Sequence, residues 1–377
     1  MRDIKENIII TIIIIILIVL ILGGIGFGIY KFLSTSKQVV NSSEFESKIE
    51  IDNNATFDNE ITNNNQIDDD AEPIIEEPNN NAIPTETIAA RYYYSQLDSY
   101  GKTIYSKLKD NKDQLKTGTY VFEFGTSFNT LLHSEKGEQT LKTAFQSAWN
   151  AFSYDECDLF YIDITKMNLI NETRTLGEIT TYYVSIGPGN NKNYLNDSFQ
   201  TTEKIEKAQN YINNIINQIV KQTKDDQKII RVKKVHDWMI EAMEYDQSET
   251  NANKYNIYGA IHDKKAVCEG YARSFKYIMD KIGIPCVLVS GTAKNSQKKT
   301  EEHAWNYVQI DDKWYAIDVT WDDPVITEGA SITDNEKYNF FLKGSEEFFK
   351  DHTQSGKISE NSMTFLLPVL STTNYEI

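Results

Sequence analysis

Between His303 and Val319 the chain alternates so regularly that one strand register suits it best. His303-Ala304-Trp305-Asn306-Tyr307-Val308-Gln309-Ile310 leads into Asp311-Asp312. Lys313-Trp314-Tyr315-Ala316-Ile317-Asp318-Val319 then follows, the pattern of a hairpin with a two-residue turn. Such a turn sets Ile310 opposite Lys313, Val308 opposite Tyr315, Trp305 opposite Asp318 and His303 opposite Thr320. One face carries Val308, Ile310, Tyr315, Ile317 and Val319 and suits burial. The other carries His303 and Asp318 as diagonal neighbours, roughly 7–8 Å apart between backbones and within side-chain reach. The register that buries the apolar residues therefore sets an imidazole beside a carboxylate.

Upstream lies a cysteine with a special position. After Cys268, Tyr271, Phe275, Ile278, Met279 and Ile282 recur at helical intervals, and Gly283 and Pro285 end the helix. A thiol at a helix N-terminus meets the positive end of the macrodipole, which favours the thiolate. Cys286 opens the apolar run CVLVS and reads as a buried strand residue. A thiol, an imidazole and a carboxylate form a nucleophile, a base and an orienter.

These residues also carry a resemblance. VCEGYA around Cys268, GIPCVLVSG, HAWN around His303 and WYAIDVTWDDP around Asp318 resemble the transglutaminase-like superfamily in its bacterial surface form. VHDWMIEAMEYD and YNIYGAI upstream fit the same pattern. The likeness is strongest over residues 228–325. It implies an α+β, papain-like core, with the Cys helix packed on an antiparallel sheet and Cys268, His303 and Asp318 as a triad. The family includes amide-crosslinking enzymes, peptidases, deamidases and non-catalytic members. The expected activity is thiol-dependent acyl transfer or amide hydrolysis, with a non-catalytic tethered binding or assembly module, or a cysteine peptidase on the same fold, as the alternatives.

The start of the chain reads differently. Residues 1–7 form a short tail, and Ile8–Tyr30 is an apolar run long enough to span a bilayer as an uncleaved anchor. Gly24 and Gly28 make a GxxxG that suits helix pairing. The expected location is a single-pass membrane protein with its bulk outside, facing protein or peptide partners at the cell surface or wall. Residues 31–88 read as a disordered, Asn-rich acidic tether. Residues 41–90 hold 13 acidic and 1 basic side chains, so most of the net charge of −17 sits there. No basic stripe for nucleic acid is present.

Residues 89–200 read as an α/β companion region, 201–350 as the catalytic core and 351–377 as a C-terminal extension. In the companion region RYYYSQLDSYGKTIYSKL and 138–152 have helical spacing; TYVFEFG, DLFYIDI and TTYYVSIG read as strands. Two helices follow, marked by Ile205–Ile219 and Ile229–Met243. His236, on the second, reads as structural because no metal-spaced set surrounds it. His262 is a possible substrate contact; His133 and His352 lack local context. Tyr258 is a candidate donor to the oxyanion beside the Cys268 amide. Trp305 is expected to shield the His–Asp bond, and Trp321-Asp322-Asp323 to form a loop closing the site. Three cysteines make no disulfide framework, and neither cofactor nor metal is expected.

Overall fold

The structure, a computed structural model, describes residues 48–53, 91–295, 298–323 and 336–376. The expected span over 8–30, with Gly24 and Gly28, lies outside them. Among the described residues no helix is long and apolar enough to cross a membrane. Phe45–Ile377 is one compact unit.

The aromatic stretch at Arg91 does not make one helix. Tyr94–Gln96 is a single 3-10 turn, and Asp98 then caps α1 (Ser99–Asp110) by accepting the Gly101 N–H at 2.7 Å. β1 (Phe122–Gly125), α2 (Gly137–Asp155), β2 (Asn168–Leu176) and β3 (Ile179–Gly187) complete the companion region, with sheet order β1-β3-β2. DLFYIDI, expected as a strand, makes an isolated bridge from Ile162 to Leu195 and a 3-10 turn at Ile164–Lys166. β2 carries no strand signal in the sequence, because its polar residues NLINETRTL are mostly exposed and lack an apolar alternation.

The core begins with α3 (Thr202–Thr223) and α4 (Lys228–Ala242). β4 (Glu244–Tyr245) runs parallel to β5 (Lys265–Ala266), which delivers the chain to α5 (Cys268–Lys281). Gly283 stops α5 at φ 71°. β6 (Cys286–Lys294), β7 (Thr300–Ile310) and β8 (Lys313–Ile317) follow, then α6 (Val319–Asp322) and finally β9 (His352–Ser355). The sheet order is β8-β7-β6-β9, with antiparallel pairings. The C-terminal extension thus supplies an edge strand.

The hairpin register is the expected one as far as Asn306–Ile317, and Asp311 and Asp312 both take positive φ, as a type I′ turn requires. Two expectations change. β8 ends at Ile317, so Asp318 and Thr320 leave the ladder: Asp318 caps α6, and the stretch expected as a closing loop is a helical turn. The sheet is also buried on both faces, since Cys286 through Val289 and Trp305 through Val308 are all at most 1% exposed. At Gly291 a Cβ would stand 2.1 Å from the Thr353 carbonyl oxygen, so glycine is what lets β9 pair here.

Candidate functional site

Cys268 is the first residue of α5, where helix amides lack intrahelical acceptors. Its position is set from both sides. Asn306 on β7 donates to the Ala272 carbonyl at 2.9 Å and ties the helix to the sheet. Gly270 lets the chain at Lys254 pass close by, since a Cβ would stand 2.4 Å from that carbonyl oxygen. Of the three cysteines Cys268 is half-buried, whereas Cys157 and Cys286 are buried. Burial pushes the Cys157 thiol up to about 12 and the Cys286 thiol well above its ordinary value.

His303 Nε2 lies 2.7 Å from Asp318 Oδ2. The Cys268 sulfur is the second group that favours the charged ring. Burial alone would lower the His303 pKa. The Asp318 carboxylate and the Cys268 sulfur outweigh it and raise the imidazole to about 10. Asp318 is fully buried yet held well below the usual carboxylate range. Burial opposes its charge, but His303 and His352 prevail. Its Oδ1 accepts the Thr320 and Trp321 amides at 3.1 and 3.2 Å, so the carboxylate is held from four directions.

The fourth donor, His352, had no signal in the sequence. It comes from β9, with Nε2 3.1 Å from Asp318 Oδ2, and its ring stacks on Phe348 at 4.0 Å. His303, Asp318 and His352 also offer three possible metal ligand atoms within 4.8 Å of one another, a set that no sequence spacing revealed. The 2.7 Å contact is a shared-proton distance; two ligands on a tetrahedral zinc stand about 3.3 Å apart.

Trp305 is 1% exposed and backs the site, its ring 6.0 Å from His303 and 5.1 Å from His352. Trp321 covers the same histidines at 5.3 and 4.5 Å. Asp322 accepts from His236 at 3.0 Å, and Asp323 accepts from the Tyr271 hydroxyl. Tyr258 stands elsewhere: it stacks on His262 at 4.3 Å, in an aromatic cluster with Phe160, Phe199 and Tyr211. The phenol that the fold brings within electrostatic range of the Cys268 sulfur is Tyr245. Burial raises its pKa to about 12, with Cys268 and Glu301 adding to the effect. Pairing of Tyr245 with Ala266 across β4 and β5 places it there, a tertiary contact invisible in the sequence.

Beside α5 opens a groove of about 720 Å3, lined among others by Trp149, Tyr154, Asp163, Tyr255, Glu269 and Arg273. One wall therefore comes from the companion region and the other from the residues around the thiol.

Residues 213–319 match the model of the transglutaminase-like superfamily. The Kyphoscoliosis peptidase of Mus musculus is 26% identical over 159 residues, 39% of this chain and 23% of that protein. Its Homo sapiens counterpart is 28% identical over 140 residues, 34% of this chain and 21% of that protein. The match thus spans less than a quarter of these relatives' length. A crystal structure of a TGase superposes with TM-score 0.26 at 17% identity, covering 49% of this chain and 52% of that one.

Proposed function

We propose that the transglutaminase-like domain of this chain is a cysteine-dependent acyl transferase or amide hydrolase, held at the cell surface by a span over residues 8–30. One observation carries the reading: a half-buried thiol at a helix start acts electrostatically on His303, whose Nε2 is held at 2.7 Å by a fully buried, four-donor Asp318. Stripped of its proton by His303, the sulfur attacks the carbon of a glutamine or peptide carboxamide, and the carbonyl electron pair moves onto oxygen. Amides at the start of α5 face that charge, and the Tyr245 phenol is a second donor. Collapse of the tetrahedral species breaks the C–N bond, the leaving amine takes the proton from His303, and a thioester remains. An entering amine or water then attacks, gives its proton to His303 and releases Cys268. Crosslinking and peptide hydrolysis, the reaction of a peptidase such as the relatives are called, share every step up to the thioester. The groove lined by Glu269, next in sequence to Cys268, and by Tyr255 on the facing segment is the proposed seat of the acyl donor.

The test needs no known substrate. With the full chain, iodoacetamide should label Cys268 far faster than Cys157 or Cys286 at neutral pH, and His303→Ala should slow that labelling at least tenfold, roughly. Equal slow labelling of all three cysteines would remove the nucleophile and with it the enzyme. Incorporation of a labelled amine, set against the appearance of new peptide termini, then separates transfer from hydrolysis.

A further inference from the structure

Six residues from the stretch expected as disordered tether are held on the surface of α3. Lys48–Asn53 runs antiparallel to the helix, and two glutamines one helical turn apart read its backbone. Gln218 accepts the Asp52 N–H and donates to the Asp52 carbonyl, both at 2.6 Å. Gln222 accepts the Glu50 N–H at 2.9 Å and donates to the Glu50 carbonyl at 2.6 Å. The match is geometric. Residues four apart on a helix rise about 6.0 Å, and alternate residues of an extended chain repeat at about 6.6 Å. Each amide therefore meets the N–H and C=O of one residue, as a neighbouring strand would. Ile49, between Lys48 and Glu50, is 8% exposed, Lys48 pairs with Glu241 on α4 at 2.6 Å, and Tyr211 donates to Asn53 at 3.4 Å.

We infer that Gln218 and Gln222 form a docking site for an extended peptide, and that its resident ligand is this chain's own segment 48–53, which shortens the length of chain between the domain and the proposed anchor. The recognition is of backbone, with one apolar side chain buried, so the ligand class is an extended segment with an aliphatic residue at the position of Ile49. Docking changes the reach of the domain. About 17 residues separate Tyr30 from Lys48, and about 60 separate Tyr30 from Arg91. At roughly 3.3–3.6 Å per extended residue the limits are about 60 Å and about 200 Å. Substrates are thereby restricted to those near the surface that carries the anchor. The statement about reach rests on the proposed span over 8–30; the docking does not.

Hydrogen exchange on the full chain in detergent tests the docking. The Glu50 and Asp52 amides should exchange at least about tenfold slower than in an unstructured peptide. That protection should vanish in Gln218→Ala/Gln222→Ala while the amides of α3 stay protected. Glu50→Pro, which removes the N–H read by Gln222 and leaves the helix untouched, should also release the segment. Intrinsic exchange rates at Glu50 and Asp52 in the unsubstituted chain would overturn the proposal. So would protection that survives the double substitution, or that falls on dilution and so belongs to a second copy's segment. Extraction of the chain from membranes by alkaline carbonate would end the anchor reading and leave the exchange result standing.

Discussion

The core holds two histidine–aspartate pairs of the same design that do different things. His303 meets Asp318 at 2.7 Å and His236 meets Asp322 at 3.0 Å, each through Nε2 and Oδ2, and both aspartate side chains are fully buried. Burial opposes the charge on each. Asp318 overcomes it with two imidazoles and two backbone amides, and its pKa falls. Asp322 has His236 and the Phe340 N–H at 2.8 Å; there burial wins, and the pKa rises to about 6. His236 is committed at both nitrogens, to Asp237 at 3.1 Å and to Asp322, and is covered by Tyr338 and Phe341. His303 has beside it a thiol that solvent can reach. The pair alone is therefore scaffolding; the neighbouring thiol and the access make it a candidate for chemistry.

The comparison breaks most sharply at the aspartates. Asp322→Asn should cost about 3–5 kcal/mol in urea unfolding, the usual effect of removing one member of a buried pair, while Cys268 alkylation stays within about threefold. Asp318→Asn should slow alkylation about 10- to 100-fold, since the imidazole loses both its orientation and its counter-charge. Equal effects of the two substitutions on alkylation would mean that the pairs are equivalent.

The pH dependence of stability sharpens the contrast. His303 titrates at about 10 in the folded chain and near 6.5 when unfolded, so its stabilising contribution is full below pH 6.5 and fades as pH rises to about 10. The stability difference between the unsubstituted chain and His303→Gln should shrink, by about 4 kcal/mol, from pH 6 to pH 10. His236 is raised in the same sense, although burial opposes it, so His236→Gln tests whether the second pair shares the window. A difference that does not change with pH would show that His303 holds no extra proton.

The smallest effect belongs to His352. His352→Phe keeps the ring against Phe348 but removes the donor to Asp318, and should slow alkylation about tenfold, the worth of one charge-assisted hydrogen bond. His352→Gln retains an N–H donor and should restore most of the rate. If both variants behave alike, His352 acts through packing.

Local pattern was enough for some of the site. The alternation around Asp311-Asp312 set the hairpin register through Asn306–Ile317, and the spacing after Cys268 placed the thiol at a helix start. Both depend on periodicity along a few consecutive turns or residues. The strand at DLFYIDI failed for the same reason: an apolar run shows burial and does not tell strand from packed turn.

What determined the rest is contact between residues distant in sequence. His352 reaches Asp318 because β9 pairs with β6 across Gly291, and Tyr245 feels the charge of Cys268 because β4 lies beside β5. Segment 48–53 looked featureless because its hydrogen-bond partners lie on α3, more than 150 residues away. The sequence by itself specified the helix that Cys268 opens and the histidine–aspartate neighbourhood, since each follows from local period. Only the tertiary structure decided which buried pair faces a thiol and which residues complete the site, because those depend on which surfaces exclude water together.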